Sequence, residues 1–442
     1  MPILDNFGSQ FISNASALEN GLMSSHDKMK LDSILLSDID YISNGLKDIE
    51  DYMKPQFIYG IKIDTTNPDS NECVTYTDDA TTFTPLKVNQ STGICDYGSW
   101  KEIINTVFGV KPCLVKTNGE ISFYLNQDDY TKLETGENID IESGDFGQVM
   151  IRFNHIYYKF SMEDKYIKFQ ISNKKVDNTW IDSVFASEDG IGQSKDYIFI
   201  SAYELCQKNN KLQSISNDTP SFNLPYSEIE RLSEFGVFHM MNIIKKQFII
   251  FLGYLVTKSI DLTGNIGTGN TNGEVLKTGT MNNKGLFYGK STDTDGVKIF
   301  GIENLWGNQL KYMHGIIQKL VYEINTDTGM MDLEQHIFIK EFYPYNKIDD
   351  FIDCGKINPN TYGYISSIKF VSNSIYLPDK LDGTSISYYK SFFQNGESTD
   401  SRQELYGIYG GNKDYYNRIG QEFLLLGYIN PDNNEATTHL IF

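Results

Sequence analysis

Paired cysteines are missing from this chain: Cys73, Cys95, Cys113, Cys206 and Cys354 are an odd, scattered set without a Cys-x-x-Cys spacing. That excludes the strong zinc and redox spacings and points to free thiols made in a reducing cytosol. Histidine is equally sparse. His26, His155, His239, His314, His336 and His439 come no closer than 22 positions, so no helix face carries the paired imidazoles of a zinc protease. There is no Gly-x-Ser-x-Gly elbow and no Gly-x-x-x-x-Gly-Lys-[Ser/Thr] phosphate cradle. The glycines of Gly264-Asn265-Ile266-Gly267-Thr268-Gly269 follow a polar turn and precede no helical pattern, so they read as loop. No cofactor or metal set emerges, and no positioned nucleophile or acid–base pair marks an enzyme.

Basic residues are also short. Lys and Arg number 38 against 58 Asp and Glu, a net charge of −20, which argues against nucleic-acid binding because phosphate contacts need Lys and Arg. No long hydrophobic run exists. The most apolar stretch, 248–256, falls far short of the roughly 20 residues of a membrane span, and Lys245, Lys246 and Lys258 flank it. Met1-Pro2-Ile3-Leu4-Asp5 has no basic region leading into an apolar run, so no secretory signal and a soluble protein are expected.

What the chain does contain is aromatics and turn formers. With 442 residues it can bury a large core across about two or three domains. Tyr (29), Phe (27) and abundant Asn and Gly describe a β- and loop-rich body. Residues 1–25, polar and small, read as an anchoring arm. Over 26–55, Leu35, Ile39, Ile42, Leu46, Ile49 and Met53 recur at alternating steps of four and three, a heptad seam ended by Pro55. The same spacing also fits a single amphipathic helix packed on its own body. Strands are expected at 57–63, 73–76, 120–125 and 149–153, and a short helix around Trp100, Ile103, Ile104 and Phe108. Residues 134–145, with five acids and no base, read as a solvated loop whose spacing matches no calcium hand. One long helical stretch is expected between Pro225 and Thr257, capped by Ser227 and interrupted by Gly236 and Gly253, with Ile229, Leu232, Val237, Met240 and Met241 on its buried face. The polar span 263–283, with five glycines, reads as a long loop that carries binding or stays mobile.

The most informative segment is Val297-Lys298-Ile299-Phe300-Gly301-Ile302-Glu303-Asn304-Leu305-Trp306-Gly307-Asn308. Its apolar residues up to Ile302 alternate as in a half-buried strand, and Asn-Leu-Trp-Gly-Asn reads as a tight turn. Gly301 and Gly307 supply backbone conformations closed to other residues, and Trp306 buries a large area while its indole N–H seeks one acceptor. Two readings of Glu303 and Asn304 stand side by side, a structural turn and a ligand-facing pair.

The stretch from Gly301 to Asn308 resembles the Gly-[Ile/Val]-Glu-Asn-[Leu/Phe]-Trp-Gly-Asn signature of C-type-lectin-like domains in phage tail fibres and gut-phage receptor-binding proteins. That superfamily also holds ligand-binding proteins diversified by retroelements. Gly410-Gly411, Gly420, Phe423, Leu425 and Leu440 resemble the family's ending, with two departures: Gly420 and Phe423 stand one residue further apart, and His439 replaces the usual Arg. Upstream, Gly109-Val110-Lys111-Pro112-Cys113, Gly147-Gln148-Val149-Met150-Ile151 and Tyr157-Tyr158-Lys159 resemble the region preceding the fold, so the likeness covers about 56–442. The run from Ser24 to Ile34 resembles short helical linkers of trimeric phage fibres.

The resemblance implies an α+β protein: a β-rich domain over 56–200 leading into a C-type-lectin-like domain over 201–442, behind an N-terminal helix that forms a trimeric coiled coil. It implies a virion protein made in the host cytoplasm, a homotrimer bound to other virion proteins through its arm. Ligand contact falls on the loop Asn412, Lys413, Asp414, Tyr415, Tyr416, Asn417 and Arg418, where flat aromatic faces and amides suit a host surface glycan or protein. Three weak sites gain avidity by effective concentration. The alternatives are a head-fibre or collar decoration without a receptor, and a fibre-borne polysaccharide depolymerase, whose carboxylate pair has no spacing signature. The superfamily's oxidases need a late cysteine pair and its iron enzymes a histidine cluster, and neither is present.

Overall fold

The computed structural model describes residues 56–181, 196–221, 224–324, 326, 328–340, 351–356, 362–370, 376–383, 392–395, 405–410, 424–426, 436–437 and 439–441. The arm, the seam positions Leu35 to Met53 and the loop 412–418 lie outside the described residues. Residues 57–442 form one compact unit of α+β character, rich in strand and poor in helix, whose sheets stay open.

Two antiparallel sheets carry the first half. One runs in the order Val74–Asp78, Ile58–Asp64, Tyr166–Ser172, Tyr157–Glu163. The other runs His239–Met240, Leu440–Ile441, Tyr197–Ser201, Gln148–Asn154, Lys111–Val115, Ile121–Tyr124. The period of two along Gln148–Asn154 explains why this sheet lies inside the molecule. Val149, Ile151 and Phe153 enter the main core, while Met150 turns to a second cluster with Cys113, Phe199, Tyr226 and Tyr312. A strand buried on both faces reads as a continuous apolar run, which is what 149–151 shows. The boundary expected after residue 200 falls inside Tyr197–Ser201, and Phe153 packs edge-on against Phe300 at 6.2 Å between ring centroids.

Among the described residues there are four helices: α1 (Lys101–Thr106), α2 (Tyr226–Ser233), α3 (Ile243–Thr257) and α4 (Leu262–Asn265). The single long helix expected between Pro225 and Thr257 is therefore two. The break lies at 234–242, where Gly236 adopts φ +65° and His239–Met240 pairs with Leu440–Ile441. Pro225, not Ser227, precedes the first turn of α2, and Asn242 caps α3 by accepting the Lys245 amide at 2.9 Å. Gly253 does not interrupt α3. A Cβ there would meet Leu262 at 2.8 Å, so the glycine permits close packing of α4. Every residue of α3 is buried, and its 15 residues explain the most apolar stretch of the sequence as core. No helix among the described residues is long and apolar enough to cross a membrane.

The third large sheet centres on the long strand Leu310–Ile324. It pairs antiparallel with Met331–Ile339 and with Leu405–Gly410, and parallel with Ala436–Thr437. A register shift interrupts the pairing with Leu405–Gly410 between Met313 and Ile317.

Candidate functional site

The signature segment is not one half-buried strand. Lys298–Ile299 and Ile302–Glu303 form a minimal hairpin whose two-residue loop, Phe300-Gly301, has φ +50° and +87°. Two positive φ values in a row are what a type I′ hairpin turn needs, and they reverse the chain where alternation alone predicts continuation. Asn304 (φ +53°), Gly307 (φ +75°) and Asn308 (φ +59°) are also left-handed. Asparagine tolerates that region better than other side-chain-bearing residues, which accounts for the two amides.

All of this segment is buried, and its polar atoms are used internally. Trp306, fully buried, donates its indole N–H to the Gly267 carbonyl at 3.1 Å. The Glu303 carboxylate accepts the amides of Gly279 at 2.9 Å and Met281 at 3.1 Å. The Asn304 side chain accepts the Val297 amide at 3.3 Å. Asn308 accepts the Leu276 amide at 2.8 Å and the Asn270 side chain at 3.0 Å, and donates to Glu204. The structure thus turns Glu303 and Asn304 inward, as structural ties. It also stitches down the span 263–283, expected to be loop throughout: α4 takes up residues 263–265, and the rest is loop held by these bonds.

Charges that sequence reasoning missed complete the network. Lys311 pairs with Glu204 at 2.8 Å and donates to the carbonyls of Gly307 at 2.7 Å and Gln309 at 2.5 Å. Lys298 donates to the Met281 carbonyl at 3.0 Å and lies 3.6 Å from the centre of the Tyr130 ring. Burial raises the carboxyls of Glu204 and Glu303 and lowers the ammonium groups of Lys298 and Lys311, each opposed by its partner's charge. His439, which stands where the resembled family has Arg, hydrogen-bonds through Nδ1 to Ser201 Oγ at 3.0 Å, and Ser201 Oγ itself donates to the Tyr203 carbonyl at 2.9 Å. The closing strand therefore keeps a polar tie through an imidazole. Burial first, then the nearby Lys311 charge, holds that imidazole down to about 3.

This buried network supports an open recess. The 281–288 segment is fastened to the signature hairpin: Leu286 accepts the Gly301 amide at 2.7 Å, and Tyr288 exchanges backbone hydrogen bonds with Lys298 at 2.8 and 3.0 Å. Opposite it stands the small hairpin Lys87–Asn89/Ile94–Asp96. Between them lies a cavity of about 370 Å³ lined by Ile94, Tyr97, Asp128, Asn283, Lys284, Phe287 and Tyr288, among others. Tyr288 lies against Gly93, where a Cβ would come 2.0 Å from the ring. Tyr97 and Phe287 meet edge to face at 5.8 Å, and Lys284 stands 5.5 Å over the Tyr288 ring. Burial, then Cys95, pushes the Tyr97 phenol up to about 12, against a hydrogen bond from the Leu286 backbone. It therefore remains a neutral hydroxyl at physiological pH.

No protein-family model matches the chain, and no curated protein matches it.

The half-buried Tyr97, backed by the buried Phe287 and Tyr288 and set beside an amide, a carboxylate and an ammonium, suits a polar ligand with a flat apolar face, as sugars have. Of the recess residues the sequence marks only Cys95, as a free thiol, and Asn283, at the end of the loop 263–283, because the lining comes from three segments about 30 to 190 positions apart. The one usable signal was the turn Asn282-Asn283-Lys284-Gly285. For the network, the signal was a lysine inside an apolar run, at Lys298.

Proposed function

We propose that this chain is a receptor-binding fibre protein of a phage virion, a homotrimer that engages a host surface glycan through a C-type-lectin-like module. The observation that carries the reading is the recess over 92–97, Asp128 and 283–288, which presents Tyr97 with exposed Asp128, Asn283 and Lys284 on a backbone fastened to the signature hairpin. Such preorganisation suits recognition, since little ordering entropy is lost on binding. The loop 412–418 supplies a second set of aromatic and amide groups to the same task, and the seam from Leu35 to Met53 joins three copies so that weak sites act together.

The test is binding of the purified oligomer to intact bacterial cells and to their extracted surface glycan. Wild-type protein is expected to bind saturably. An Asp128→Ala/Lys284→Ala variant, exposed at both positions, should bind at least about tenfold more weakly, the loss expected for hydrogen bonds to charged groups. Tyr415→Ala/Tyr416→Ala tests the loop in the same assay. Undiminished binding by the first variant with loss in the second moves the receptor site to the loop. Absence of binding by wild type makes the chain a particle decoration, and release of reducing ends from the glycan makes it a depolymerase.

A further inference from the structure

A second cluster lies apart from the recess, where the end of α2 meets the long strand Leu310–Ile324. We propose that Glu230, Glu234 and His314 form a binding site for one divalent transition-metal ion of the zinc class. Glu230 and Glu234 are one helical turn apart, so their side chains share a face. The helix closes there, with the Glu234 amide bonded to the Glu230 carbonyl at 3.1 Å. His314 reaches them from the irregularity in the long strand. The register against Leu405–Gly410 slips between Met313 and Ile317, and Gly315 is left-handed at φ +83°. The His314 amide bonds instead to the Met241 carbonyl at 2.9 Å. Such bulges re-aim side chains, and this one delivers a fully buried imidazole to the carboxylates, with Nε2 3.3 Å from Glu230 Oε1.

One ligand atom from each of the three residues lies within 4.8 Å of the others. Donors about 2.0 to 2.2 Å from one tetrahedral ion stand roughly 3.3 to 3.6 Å apart, so the imidazole and Glu230 are already at ligand spacing. Glu234, whose side chain is exposed, closes the set by a change of rotamer. The nearest helix cation does not compete for these carboxylates, because Arg231 is held by Glu228 through two bonds of 2.6 and 2.7 Å. An imidazole nitrogen with two carboxylate oxygens suits zinc or manganese better than calcium, which prefers six to eight oxygens. Three protein donors leave a coordination position for water or a ligand oxygen, and the ion would pin α2 to the central strand.

The experiment uses untagged full-length protein, stripped with chelator and titrated calorimetrically with ZnCl2, MnCl2 and CaCl2. One zinc per chain is expected, with a rise in melting temperature and a cobalt-substituted form showing ligand-field absorption. Glu234→Gln, on the exposed face, should weaken zinc at least about tenfold while leaving the apoprotein fold intact by circular dichroism, and Glu230→Gln should do the same. Substoichiometric zinc uptake by wild type overturns the proposal. So does unchanged affinity in both glutamine variants, which would leave the cluster as a histidine–glutamate contact.

Discussion

Lys311→Met is the sharpest probe of the buried network. The Lys311 and Glu204 side chains are 0% and 1% exposed and stand 2.8 Å apart. At that separation an effective dielectric of about 20 gives roughly 6 kcal/mol of attraction. Desolvation, at several kcal/mol per ion, offsets most of it, so the intact pair is close to neutral in stability. Burial outweighing mutual attraction shows in both groups, the carboxyl raised and the ammonium lowered. Removing the lysine alone is different, because the Glu204 carboxylate then keeps Asn308 but loses its only counter-charge among the described residues, while the Gln309 carbonyl loses the lysine donor and the Gly307 carbonyl is left with the Gln309 amide. A loss of about 3 to 5 kcal/mol follows. Urea unfolding followed by tryptophan fluorescence should show the midpoint falling with an unchanged slope, and Glu204→Gln/Lys311→Met should recover part of the loss. A single-variant cost below about 1 kcal/mol, or a double variant no better than the single, would refute the reasoning.

His439 makes the fold sensitive to acid. Its imidazole, usually near 6.5, is held down to about 3, so the unfolded chain binds a proton that the folded chain refuses. The sign follows: its contribution is complete above pH 6.5 and is lost as pH falls toward 3, with a slope approaching about 1.4 kcal/mol per pH unit. Unfolding of wild type and His439→Gln from pH 7 to 4 isolates it from the carboxylates, and parallel curves would sink the assignment. Gly301→Ala forces a Cβ into a backbone of φ +87°, 2.5 Å from the Tyr130 hydroxyl, and should cost at least about 2 kcal/mol. A melting temperature equal to wild type would count against the tight turn. Trp306→Phe loses the indole bond to Gly267 and leaves that carbonyl buried, for roughly 1 to 3 kcal/mol in denaturant unfolding; no change would show that water replaces the bond.

Much of the fold was legible because its signals are local. Short β-branched and aromatic runs between turn residues placed strands at 57–63, 73–76, 120–125 and 149–153, and the structure has them at Ile58–Asp64, Val74–Asp78, Ile121–Tyr124 and Gln148–Asn154. Trp100 and its followers marked α1 by helical spacing. Local pattern misled where a backbone reversal was carried by a residue that does not advertise it. Phe300 at φ +50° sits in an apolar alternation, so 297–302 read as one strand until the hairpin was seen. Of the two glycines expected to interrupt the helix, Gly236 lies in the break before Asn242 and Gly253 breaks nothing, for a related reason. Gly253 packs against Leu262, whereas the chain leaves the helix at Glu234 to let His239–Met240 pair with the closing strand, a long-range hydrogen-bond requirement invisible in the window around it.

Composition and motif spacing by themselves determined that the chain is acidic, β- and turn-rich, and built around the Trp306 segment, because those properties depend only on which residues are present and how far apart they stand. The tertiary structure alone decided that Glu303, Asn304 and Asn308 tie the interior together, that Lys298 and Lys311 are buried with carboxylates, and that Ile94, Asp128 and Tyr288 line one recess. Burial and the meeting of distant side chains are consequences of how sheets stack, and the energy that selects them is paid in desolvation and packing between residues that are remote in sequence.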